Sequence, residues 1–135
     1  HVAAALGSDA PLLRILRQRT VGRGAPFTLL TTWLPAAGAA LLTRRELQSS
    51  QILVALEHAG VAILRAEKSV TAQAAHERAA GVLQVPFGAP LIAMSTLFTG
   101  TGGAPVAMFE ALYRPDRYEY RLSMVRRGDR WHMVE

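Results

Sequence analysis

The sequence predicts an α+β domain built on a mainly antiparallel sheet, and three observations predict it. Residues 10–35 align without a gap on residues 89–114, at a constant offset of 79 positions. Each copy reads Ala-Pro, apolar segment, glycine-containing turn, Ala-Pro, apolar segment. Helical stretches fall in separate blocks rather than between successive strands, which points to hairpins and not to parallel βαβ units.

Taken in order, the elements follow from these patterns. The Ala-rich opening, Val2–Leu6, reads as helix, and the second copy has its counterpart in Ala74–Leu83. Leu12–Thr20 and Phe27–Leu34 are strands flanking Val21–Pro26, where Gly22 and Gly24 supply the backbone freedom that a hairpin loop needs. Thr43-Arg44-Arg45-Glu46 is a capping box: the Thr43 hydroxyl accepts from a free amide while Glu46 reaches back. A second helix begins near Ser50, with Ile52, Leu53 and Leu56 as its inner stripe and Gly60 at the left-handed C′ position. Val61–Thr71 reads as strand. Ala75, Ala79, Val82 and Leu83 form the buried stripe of a third helix that stops before Pro86. Leu91–Thr99 and Val106–Tyr113 flank Gly100–Pro105 as the second hairpin. A strand at Tyr118–Val125, a Gly128-Asp129 turn and a last strand at Trp131–Val134 complete the chain. The repeat predicts two helix-plus-hairpin units related by a pseudo-two-fold.

Composition narrows the function. The 135 residues suit one domain, and with half of them apolar and 19% charged the chain can bury a core. Apolar stretches such as Pro35–Leu42 fall far short of the ~20 residues of a membrane span. No basic-then-apolar signal segment opens the chain. The lack of cysteine removes disulfides, thiolate metal sites and thiol nucleophiles, and fits a reducing cytoplasm. The formal net charge is +5, but the arginines are dispersed rather than concentrated on one helix, so they read as solvated surface with room for a local anion pocket.

Catalytic templates are not met. There is no nucleophile elbow, no phosphate-cradling loop and no complete His-Glu-x-x-His: His76-Glu77 is followed by Ala80 where the second ligand belongs. The four histidines lack metal-ligand spacing, so no metal or cofactor is expected. Asp116 and Glu119 stand among Arg114, Arg117 and Arg121 and read as ion-paired.

The strand arginines carry more. In Leu13-Arg14-Ile15-Leu16-Arg17-Gln18-Arg19, alternation sets Leu13, Ile15, Arg17 and Arg19 on one side, so an apolar face turns basic toward the hairpin. Two guanidinium groups two residues apart can converge on one carboxylate or phosphate; the alternative is that they reach solvent at the sheet edge. On the outgoing strands Thr31 is the repeat equivalent of Glu110, which shares a side with Val106, Met108 and Leu112. A carboxylate on an apolar face needs a partner, either a structural arginine or the hydrogens of a ligand.

Several segments together resemble a known family. AAALGSDAPLLRILRQRTVGRGAP, TWLP, LQSSQILVALEHAG, VTAQAAHERAAGVLQVPFGAPLI and GTGGAPVAMFEALYRPDRYEYRLSMVRR follow the order of the UTRA domain, the effector-binding half of HutC-subfamily GntR transcription regulators. The Tyr113–Tyr118 run YRPDRY with the helix–hairpin repeat is the most specific part. The resemblance implies a chorismate-lyase-like α+β fold over residues 1–135, without catalytic activity, that binds a small metabolite. It also implies an upstream winged helix-turn-helix that contacts DNA. On that reading the abrupt opening is the start of a fragment. By the same resemblance Arg17 and Arg19 match an Arg-x-Arg pair, Thr31 or Thr32 a ligand hydroxyl, and Ser49 and Ser50 the groups at the start of the middle helix. Leu30 and Ala107 stand near positions where the family often has glutamate, and Thr96 where it often has arginine, which points to a small or more apolar organic acid. Phe27, Leu29, Trp33, Met94 and Met108 are candidate pocket or core residues.

The expected function is thus a sensor of a small anionic metabolite, its site drawn from Arg17, Arg19, Thr31, Ser49, Ser50 and Glu110. A homodimer is expected, because palindromic operators are read with two-fold symmetry; Trp131–Val134 or the helix at Ile52–Leu56 are its candidate contacts. Two other readings remain open at this point. One is a chorismate-lyase-type enzyme in which Arg17, Arg19 and Glu110 eliminate pyruvate. The other is a dimerisation module that has lost its ligand.

Overall fold

The computed structural model describes residues 12–19, 26–49 and 51–134, the first stretch through its backbone alone. The expected helix at Val2–Leu6, the first hairpin turn and Ser50 lie outside the described residues. The elements run β1 (Leu12–Arg19), β2 (Thr28–Pro35), α1 (Ala36–Ala39), α2 (Arg44–Leu47), α3 (Ile52–His58), β3 (Arg65–Ala74), α4 (Glu77–Leu83), β4 (Pro90–Thr99), a 3-10 turn (Thr101–Gly103), β5 (Pro105–Tyr113), β6 (Ser123–Arg127) and β7 (Arg130–Val134). Five strands form one antiparallel sheet in the order β1-β2-β5-β4-β3, and β6 and β7 form a separate hairpin.

The sequence repeat is a repeat of register. Moving a β1–β2 pair by 79 residues lands on a β4–β5 pair: Leu13↔Leu34 becomes Ile92↔Tyr113, and Arg19↔Thr28 becomes Phe98↔Ala107. The two hairpins meet along β2 and β5 at the centre of the sheet. A bulge between Phe98 and Thr99 lets the second hairpin close around its 3-10 turn. There Gly100 is buried, and a Cβ on it would stand 2.2 Å from the Ala62 carbonyl oxygen, so only glycine admits this approach.

Helices cover opposite faces of the sheet at opposite ends. On one face α3 buries Ile52, Ala55 and Leu56 against Leu34, Val106 and Ala107. On the other, α4 buries Ala79 and Leu83 against Leu29, Leu91 and Ala75. Period-3.6 stripes meeting period-2 strand faces produce both clusters. The capping box at α2 forms as expected: the Glu46 amide donates to Thr43 Oγ1 at 3.1 Å, and the Thr43 amide to Glu46 Oε1 at 2.9 Å. His76 caps α4 by accepting the Ala79 amide at Nδ1, 3.1 Å away.

Two expected strands shift. Val61–Thr71 becomes Arg65–Ala74, because the chain leaves α3 through Gly60 at φ +95° and a bond from the Val61 amide to the Leu56 carbonyl. Val61 and Ile63 then pack on the core, and pairing with β4 starts only at Leu64, whose amide reaches the Thr99 carbonyl at 2.9 Å. The expected strand at Tyr118–Val125 is corrected to Ser123–Arg127. Its first residues are engaged by side-chain contacts instead. The Tyr118 ring stacks on Tyr113 at 3.9 Å and its hydroxyl donates to Met94 Sδ, while Lys68 Nζ lies 5.8 Å from the centre of the Tyr120 ring.

Candidate ligand cavities on the two faces of the sheet

Cross-strand partners share a face, so the register sorts the candidate residues. Position 17 begins the row that continues through Leu30, Ala111 and Met94 to Val70. The next row is Ile15, Thr32, Phe109, Thr96 and Lys68. Leu30, Ala111 and Met94 of the first row and Thr32, Phe109, Thr96 and Lys68 of the second line a cavity of about 220 Å³ beside the start of α3, bordered by Ser49 and Ile52 and closed at one side by Tyr113. Position 19 pairs with Thr28, one row beyond. The side chains of Arg17 and Arg19 lie outside the described residues, and the register places both positions on this helix-covered face.

Thr31 and Glu110 belong to the opposite face. They are direct partners, and the Glu110 Oε1 atom accepts the Trp33 indole N–H at 2.8 Å on that side. Their row reads Ser69, Ser95, Glu110, Thr31 across four strands. It floors a second, larger cavity of about 430 Å³ reaching to Trp33 and to His76 and Arg78 at the start of α4. Both residues border the smaller cavity too, from the strand beneath it. Of the expected set, Thr31, Ser49 and Glu110 all border the smaller cavity, while Ser50 and the side chains of Arg17 and Arg19 lie outside the described residues. Along the strands Arg17 pairs with Leu30, and Thr31 belongs to the next row.

Lys68 is the residue that sequence reasoning missed. Its pairing with Thr96 sets it at the border of the smaller cavity, with its Nζ 5.8 Å from the centre of the Tyr120 ring. The signal was present, since it is the sole lysine of the chain and stands in an otherwise alternating segment. Ser49 does border that cavity, and its Oγ accepts the Gln51 amide at 2.9 Å. Among the pocket candidates, Leu29 and Trp33 line the larger cavity, Met94 both, and Met108 is buried.

The carboxylates near the chain's end are ion-paired as expected. Arg114 holds Asp116 through two bonds, at 3.0 and 2.7 Å, and donates a third to the Leu83 carbonyl at 3.1 Å. The hydrogen bonds from Arg114 hold the Asp116 carboxyl below its ordinary range. Glu119 pairs with Arg121. Among the described residues no group of three or more His, Asp or Glu side chains is placed to hold a metal, and no helix is long and apolar enough to cross a membrane.

Comparison with known proteins agrees with this architecture. A regulator of the GntR family from Enterococcus faecalis superposes with a TM-score of 0.78 at 20% identity, over 90% of this chain and 88% of that one. The ligand-binding domain of a candidate GntR-family regulator from Bordetella bronchiseptica gives 0.75 at 29% identity, over 90% and 79%. A candidate transcriptional regulator from Streptomyces coelicolor gives 0.77 at 29% identity, over 99% and 83%. The UTRA domain family model matches residues 1–119. The chain belongs to the UTRA domain family, the effector domains of GntR-family transcription regulators.

Proposed function

We propose that this domain senses a small anionic metabolite in the cavity beside α3 and relays its occupancy to a winged-helix DNA-binding domain upstream, in a cytoplasmic regulator of the HutC type. The observation that carries the anionic reading is Lys68. Where the family resemblance places an arginine, this chain has Thr96, and Thr96 has Lys68 as its cross-strand partner. A cation is supplied from the neighbouring strand, at the border of a cavity lined by Leu30, the cross-strand partner of position 17. A carboxylate or phosphate held between Lys68 and the guanidinium groups of Arg17 and Arg19, with Ser49 donating a hydroxyl hydrogen, would receive charge-assisted bonds from two sides. Binding without catalysis is the reading supported by the match to the UTRA family and by the likeness to the ligand-binding domain of a GntR-family regulator.

A homodimer completes the proposal, since a palindromic operator is read by two copies. Of the two candidate contacts, α3 buries Ile52, Ala55 and Leu56 in its own core and leaves Val54 exposed. The β6–β7 hairpin keeps Met124, Trp131 and Met133 exposed. A thermal-shift screen of carboxylated and phosphorylated metabolites tests the sensing function. A ligand at 100 times its dissociation constant adds about 2.7 kcal/mol to stability, a clear rise in melting temperature. No rise with any anion, together with pyruvate release from chorismate, would replace this reading with the enzymatic one.

A further inference from the structure

β3 alternates as a half-covered strand does. Arg65, Glu67, Ser69, Thr71 and Gln73 give it one polar side. Ala66, Val70, Ala72 and Ala74, with Lys68 among them, give it a nearly apolar one. Yet all ten residues are exposed, and the strand ends the sheet, so alternate backbone N–H and C=O groups meet solvent along its outer edge. Tyr120 flanks Lys68, and Val70 stays 44% exposed. The β6–β7 hairpin has the matching defect. Met124↔Met133 and Arg126↔Trp131 are cross-strand partners, so three large apolar side chains share one face of a ribbon that is exposed throughout. Because β3 and the hairpin are both exposed along their whole length, neither covers the other within one chain.

We propose that two copies of this chain exchange hairpins: the β6–β7 hairpin of each seats on the apolar side of β3 of the other. This rests on the homodimer reading above and names the surface that receives the hairpin. The sizes are complementary. Met124, Trp131 and Met133 are large, whereas Ala66, Ala72 and Ala74 leave room on either side of Val70, so the two faces can interdigitate. The exchange also closes on itself. Two copies fill two seats, and neither surface is left to recruit a third copy. Ten residues of β3 with five each of β6 and β7 supply the about 20–30 residues a side that a stable interface uses. Lys68 belongs to the same side of β3 and borders the smaller cavity, so the seated hairpin lies along the rim of that cavity.

Val70→Arg and Met133→Asp, made separately, test the exchange, with far-ultraviolet circular dichroism as the folding control. Both side chains are exposed, so neither change empties a core position. In sedimentation velocity at about 50 µM the parent should be a dimer with a Kd near ~1 µM, and each variant should be largely monomeric, its Kd weakened about a hundredfold or more. An equimolar mixture of the two variants should dimerise again, at least about tenfold more tightly than either alone. In that mixed dimer one seat is intact, and the other sets the two introduced charges, of opposite sign, against each other. If Val70→Arg does not fold, Ala72→Arg on the same side of β3 takes its place. A dimer indifferent to the β3 substitution overturns the proposal and leaves the homodimer standing, with the hairpins meeting each other instead. A dimer broken by the β3 substitution but indifferent to Met133→Asp overturns it in favour of β3 pairing with its own copy. A mixture that stays monomeric also overturns it. A parent that is itself monomeric overturns the homodimer reading along with it.

Discussion

Thr31 and Glu110 are partners twice over: they are equivalent positions of the internal repeat, and they face each other across the β2–β5 pair. The pseudo-two-fold axis passes between them. A change at one is therefore felt directly by its symmetry mate. Thr31→Glu sets like charges opposite each other and should destabilise the domain by up to ~1 kcal/mol, whereas Thr31→Lys should not. Urea unfolding at low salt measures the difference. It should shrink in ~1 M salt, where the screening length is about 3 Å.

Gly100→Ala should destabilise by about 1–3 kcal/mol, as overpacking does, because the new methyl meets the backbone oxygen of Ala62 rather than a movable side chain. Gly81→Ala is the control. It stands in α4 with open space around its Cβ position and should stabilise slightly. Paired urea melts read both, and equal midpoints would refute the close-approach account.

How much of this was legible from the residues alone depends on the interaction involved. The hairpins, the capping box and the helix stop at Gly60 are local or repeated patterns, and they stand where the periodicity put them. The Tyr118–Val125 segment misled because its alternation is genuine while its partners are side chains: Tyr113, Met94 and Lys68 engage the tyrosines far from any strand partner. The site is less legible for another reason. Alternation relates residues along one strand, whereas the relation between strands needs the pairing: Arg17↔Leu30 and Thr31↔Glu110 set these positions in adjoining rows, and Lys68↔Thr96 sets the lysine at the border of the smaller cavity.

Asp116 predicts an acid limb. Its hydrogen bonds from Arg114 lower its folded-state pKa, so the pair stabilises the fold above the ordinary aspartate range near ~3.9. That contribution is lost as pH falls through the lower folded value. Melting temperatures of the parent and Asp116→Asn should therefore differ at pH 6 and converge at the acid end. A difference that grows on acidification would contradict the assignment.

The β6–β7 hairpin is mutually paired and leaves Trp131 61% and Met133 70% exposed. A two-stranded ribbon of this kind is marginal in water on its own. If it forms the contact between copies, Met133→Asp should convert a dimer with a dissociation constant near ~1 µM into a monomer at ~50 µM. Sedimentation velocity decides; a dimer unaffected by the substitution would place the contact elsewhere.

The most direct measurement is calorimetric titration of anionic metabolites into the parent chain and into Arg17→Ala, Arg19→Ala and Lys68→Ala. Each charge-assisted bond contributes ~1.5–3 kcal/mol, so each substitution should weaken the same ligand by roughly ten- to a hundred-fold while far-ultraviolet circular dichroism is unchanged. An anion that binds all three variants as tightly as the parent would contradict a pocket on the α3-covered face.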